Sequence, residues 1–181
     1  EQDLATSIRT LNDTAFQLLG ADLLEPAETL LERATGLCEI HKLQEPDAPP
    51  YPLIHVLDSL ASLRARQGEP QQAADLETHA VDLFEPLAKD DPEGFLGPLA
   101  LTLERLARYL SEADRSAEAL TYQRRAVDIN EKRAAQNPDN RPSLAESLTN
   151  LGRLLEFIDP ADSTSVLARA ATLRAALPRP S

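Results

Sequence analysis

The chain has 181 residues, 42% of them hydrophobic but only 4% aromatic, with a net charge of −12, a pI near 4.6, no Met or Trp and one Cys. An acidic balance of this size argues against a nucleic-acid surface, which needs clustered cations to release counterions from phosphate backbones. The scarcity of aromatic and β-branched residues argues against a sheet, no apolar run is long enough to span a membrane, and the lone Cys38 excludes an internal disulfide.

In chain order, residues 1–45 carry Leu11 and Ala15, then a second helical segment opened by Glu25-Pro26 and marked by Leu30, Ala34 and Leu37. Proline fits the first helical turn, where its missing N–H costs nothing. The stretch from Glu45 to Pro52 is the most proline-rich of the chain and reads as a stiff connection between units. Residues 46–92 follow with Leu53, Val56, Leu57, Leu60 and Leu63 at three- and four-residue steps, one apolar stripe on a helix. A tight turn is predicted at Gln67-Gly68-Glu69-Pro70, then a second helix alternating small and large residues: Ala73, Leu76, Ala80, Leu83. Pro86 falls inside that helix and predicts a kink or an early end near Glu85.

Residues 93–140 repeat the scheme with Leu99, Leu103, Leu106 and Leu110, then Ala119, Tyr122, Ala126 and Ile129; the Asn137-Pro138 step closes the unit. Residues 141–177 carry Leu144, Leu148, Leu151 and Leu155, and 178–181 form a tail. Sliding residues 53–93 forward by 46 matches 11 of 41 positions without a gap, among them Leu57 on Leu103, Ala61 on Ala107, Ala73 on Ala119 and Ala80 on Ala126. Composition alone would give about three such matches, so the period belongs to the architecture. The fourth unit follows at a shift of 45 as far as Ile158; beyond it a two-residue insertion sets Val166 against Ala119. The small residues Ala61, Ala107 and Gly152 leave room for a neighbouring helix to approach.

Leu57, Leu60, Ala61, Gly68, Ala73 and Ala80, with Leu103, Leu106, Ala107, Ala119 and Ala126, resemble the tetratricopeptide repeat (TPR). The longer period is similar to the kinesin-light-chain type and to the arrays of about 46 residues found beside signalling modules. The resemblance implies an all-α, right-handed α-solenoid of about four helix-turn-helix repeats in a single domain, 1–181. It also implies a concave groove lined by the first helix of each unit, in which a peptide or protein is bound. The chaperone-binding carboxylate clamp of that family is not matched, since Asp58 and Glu104 stand where cations would be needed.

On this register the groove is expected to present Asp58 and Ser59 in the second unit, Glu104, Arg105 and Arg108 in the third, and Asn150 and Arg153 in the fourth. In an acidic chain, Arg105, Arg108, Asn150 and Arg153 suit an acidic or carboxylate-bearing partner, because guanidinium groups bind carboxylates through paired hydrogen bonds. The bland alternative is that these arginines pair with Glu104 and Glu146. No catalytic or metal constellation is evident: His41, His55 and His79 lack ligand spacing, and Asp90-Asp91 reads as a helix-end pair. No cofactor and no enzyme activity are therefore expected. The segment from Val166 to Leu177 has few polar residues, so Val166, Ala170, Leu173 and Leu177 are expected to form an assembly surface for a second copy or another domain of the parent protein. With no signal-like start the location is expected to be cytoplasmic, and from the initial Glu the chain is expected to be a processed or excised piece of a longer product. Two functional classes follow: a groove-binding scaffold, adaptor or sensor, and a structural stack that assembles through its last helix.

Overall fold

The computed structural model describes residues 3–156 and 158–177; the predicted tail 178–181 lies outside them. Among these residues there are eight α-helices and one 3-10 turn, with no strand. They are α1 (Leu4–Gly20), α2 (Leu24–Gln44), α3 (Tyr51–Arg66), α4 (Pro70–Asp90), α5 (Pro92–Glu112), α6 (Ser116–Gln136), α7 (Arg141–Leu155) and α8 (Pro160–Ala175). The chain divides into two compact units, 1–83 and 84–181, with the division inside α4.

The repeat is visible in the backbone itself. Asp22, Gly68 and Asp114, each 46 residues after the last, are left-handed, with φ of 61°, 80° and 61°. At each, the residue after the left-handed one donates its N–H to a carbonyl five positions back: Leu23 to Leu18, Glu69 to Arg64, Arg115 to Leu110, at 2.9, 2.9 and 2.8 Å. This is the helix-terminating bond of a Schellman turn, and it folds the second helix of a pair back on the first. Glycine meets the positive φ without strain at 68, and aspartate is among the few other residues that tolerate it.

In the first unit α1 packs on α2, and both meet α3. Ala15, Leu19, Ala27, Leu31 and Leu63 form one part of its core, and Ile8, Ala34, Cys38 and Val56 another, with Leu60 packed against both. Burial pushes the Cys38 thiol up to about 11, with neighbouring Glu39 adding to the shift, so the residue behaves as a small hydrophobe. In the second unit α5 packs on α6, α6 on α7, and α7 on α8, while α5 also reaches α7. Its C-terminal core holds Val127, Leu144, Leu148, Leu151, Leu155 and Ala170.

Two expectations from the sequence are corrected. Of the kink or early end expected near Glu85, the early end does not occur: helix α4 runs through Pro86 to Asp90. Pro86 and Asp82 are both exposed, so the carbonyl deprived of its donor faces water rather than the core. The fourth unit's second helix is also in a different register. Its buried residues are Ser163 and Ala170, seven apart like Ala27 and Ala34, Ala73 and Ala80, and Ala119 and Ala126. Serine takes the place of the first alanine and donates its hydroxyl to the Gly152 carbonyl at 2.8 Å. The connection before α8 is therefore one residue shorter than the 45-residue shift requires, not two longer. α8 lies so close to α7 that a Cβ on Gly152 would stand 2.5 Å from Leu167 Cγ.

Candidate functional site

The polar residues of α5 and α7 stand beside the Leu stripes that fasten each helix to its hairpin partner, so burial of Leu103, Leu106, Leu148 and Leu151 fixes where they point. Between them lies a cavity of about 500 Å³ lined by Arg105 and Arg108 from α5 and Asn150 and Arg153 from α7. Glu104, Glu112 and Glu146 supply its carboxylates, and Leu101 and Leu154 its apolar walls. Four residues selected from the sequence for an acidic partner thus meet at one place. Asp58 and Ser59, of the second repeat, belong to the compact unit 1–83; Asp58 is half-buried, and Ser59 is buried at 3% exposure, so it presents no surface to a partner.

The three arginines differ in how they are held. Arg105 donates to Thr102 Oγ1 at 3.1 Å. Arg108 donates to Glu112 at 3.1 Å and lies 4.1 Å over the Tyr109 ring. Arg153 is exposed, and its side chain makes no hydrogen bond or ion pair among the described residues. Arg108 also forms an ion pair with Glu112, one helical turn away.

Glu104 is committed elsewhere. Ser147 Oγ donates to one of its carboxylate oxygens, and Asn150 Nδ2 donates to the other at 3.3 Å. Ser147 Oγ in turn accepts from Asn130 Nδ2 at 2.7 Å, and the Ser147 carbonyl accepts from Gln123 Nε2 at 3.0 Å. Arg133 completes the chain, donating to Asn130 Oδ1 at 2.8 Å and Asn140 Oδ1 at 3.0 Å. Burial raises the Glu104 carboxyl above its ordinary value, and Glu146 adds to this, while the bonds from Ser147 and Asn150 and the charge of Arg105 offset only part. Sequence reading missed Gln123, Asn130, Arg133 and Ser147. The available signal was a polar residue at a place where other units are apolar: Asn130 repeats Phe84 and Cys38 at the 46-residue period.

The expected assembly surface is placed differently from its sequence reading. Ala170 is buried, and Val166 and Leu173 pack against the core of α6 and α7; Leu177 is half-buried. The apolar side of α8 is turned inward because the helix completes its own hairpin, and its exposed positions are mostly Ala, Ser, Thr and Arg.

Among the described residues no helix is long and apolar enough to cross a membrane, and no group of three or more His, Cys, Asp or Glu is arranged to hold a metal ion. Helix pairs recurring at 46 residues around conserved-size small contacts define a helical-repeat protein. The chain is similar to TPR-like repeat structures. One is of a Podosopora anserina protein assigned as a kinesin light chain with nearly identical TPR-like repeats, at 15% identity over 97% of this chain and 98% of that one, TM-score 0.43. Another is BtubC (BKLC) from P. vanneervenii, at 15% identity over 100% of this chain and 96% of that one, TM-score 0.42. No protein-family model matches the chain, and no curated protein does.

Proposed function

We propose that the chain is a non-catalytic interaction module that captures an acidic peptide or protein segment in the cavity between α5 and α7. The observation that carries this reading is the gathering of Arg105, Arg108 and Arg153 around one cavity of about 500 Å³ in a chain whose net charge is −12. Arg153, with no partner of its own among the described residues, is the first contact for an incoming carboxylate. Arg108 is paired with Glu112 at the surface, and exchanging such a pair for a partner's carboxylate costs little, since surface pairs contribute about 0 to 1 kcal/mol. Leu101 is 54% exposed at the cavity wall and offers an apolar contact beside the guanidinium groups. The segment that fits is therefore one in which acidic residues flank an apolar side chain.

The test is capture of a partner by the immobilised chain, repeated with Arg105→Glu and Arg153→Glu. Both side chains reach solvent, so the variants should fold. Loss of capture in both is expected; undiminished capture would remove the cavity from consideration.

A further inference from the structure

We propose that the first unit carries a separate site, which takes a small organic ammonium ion with an apolar body. The site is a cavity of about 710 Å³, open to solvent on one side and lined by α1, the end of α2, the connection after it and the start of α3. That volume lies in the range of pockets that enclose small molecules. Asn12 and His41 both line it, and both carry a buried atom without a hydrogen-bond partner among the described residues, Asn12 Oδ1 and His41 Nδ1. Asn12 is only 9% exposed. Folded proteins rarely leave such atoms unmet, because a desolvated acceptor without a donor opposes folding.

The repeat register explains why no donor reaches Asn12 from the described residues of α3. Asn12 stands two 46-residue periods before Glu104, and Val56 stands where α7 places Ser147, the residue that donates to Glu104. Valine, fully buried, has nothing to donate. An occupant of the cavity, displacing water, can supply the donor that the described residues do not.

The surroundings select its charge. Asp3, Asp13 and Glu45 line the cavity against a single guanidinium, that of Arg9, while Ile8, Tyr51 and Pro52 provide apolar wall. An ammonium group has three donors and no acceptor, so it can serve Asn12 Oδ1, and His41 Nδ1 when the ring proton sits on Nε2. A carboxylate would set oxygen lone pairs against Asn12 Oδ1 and negative charge against three acids.

Titration calorimetry of the full chain with benzylamine, with benzoate as its charge-reversed counterpart and benzyl alcohol as its neutral one, tests the assignment. Saturable binding of benzylamine is expected, with benzoate silent and benzyl alcohol weaker. Asn12→Leu should reduce benzylamine affinity about tenfold or more. Asp13→Asn changes an exposed residue, spares the fold and should reduce it several-fold. Arg153→Glu should leave it unchanged, which separates this site from the cavity of the second unit. Benzoate binding as tightly as benzylamine, no saturable binding of benzylamine, or unaltered affinity in both first-unit variants would overturn the proposal.

Discussion

Asn12 in the first unit and Glu104 in the second hold the same place in the repeat, two periods apart, and their environments are opposite. Glu104 is met by Ser147 and Asn150 from the next first helix, and behind them by Asn130 and Arg133. Asn12 faces a cavity, and the residue at the Ser147 place is Val56. The difference shows how a repeat can keep one scaffold while assigning its polar positions to different tasks. In one unit they interlock and rigidify; in the other they stay available to a visitor.

The largest effect is expected from breaking the contrast. Ser147→Val gives the second unit the arrangement of the first, leaving Asn130 and Glu104 buried without the hydroxyl they share. Urea unfolding should show a loss of about 2–4 kcal/mol at unchanged m-value. Next comes Leu173→Asp, which puts a carboxylate against the core of α6 and α7. It should lower stability by about 2 kcal/mol without altering the mass seen by light scattering. A dimer that dissociates with its melting temperature intact would instead restore α8 as an assembly surface.

Val56→Thr sharpens the contrast from the other side. Burying a hydroxyl in a core normally costs about 1–3 kcal/mol, but on the repeat register a hydroxyl at 56 takes the place that Ser147 Oγ holds toward Glu104, and it is expected to donate to Asn12 Oδ1. The net change should be within about 0.5 kcal/mol, and the full cost should return in an Asn12→Leu background, a coupling that a double-mutant cycle measures.

The smallest effect concerns pH. The Glu104 carboxyl is raised by burial, so the folded chain holds that proton more tightly than the unfolded one. Its contribution to stability is complete below the ordinary value of 4.5 and is lost as pH rises through the folded value. Glu104→Gln keeps an acceptor for Ser147 and removes the titration. Asn150 Nδ2 loses its acceptor in exchange, so the readout is the profile rather than the absolute stability: the variant's stability should vary less across the acidic range than that of the unaltered chain.

The hairpins were legible because their signals are local: Leu at three- and four-residue steps, Gly68 at a left-handed turn, Pro70 and Pro92 in the first positions of α4 and α5. Arg105, Arg108, Asn150 and Arg153 could be brought together on paper because a constant period converts sequence separation into spatial adjacency. What escaped depended on side-chain exchange that period alone does not encode. Ser163 standing in for alanine hid the register of α8, and with it the inward facing of Ala170 and Leu173. Pro86 was tolerated because the carbonyl it leaves without a donor is on the wet side. Ser59 was expected in a groove and is buried, because a place that carries an arginine or asparagine in later units carries a residue small enough to be covered.

Fluorescence anisotropy of a dye-labelled peptide repeating Glu-Glu-Leu, beside one repeating Lys-Lys-Leu, tests the arginine cavity most directly. The unaltered chain should bind the acidic peptide and not the basic one, and Arg153→Glu combined with Arg105→Glu should invert that preference. Equal binding of the acidic peptide by both forms would contradict it.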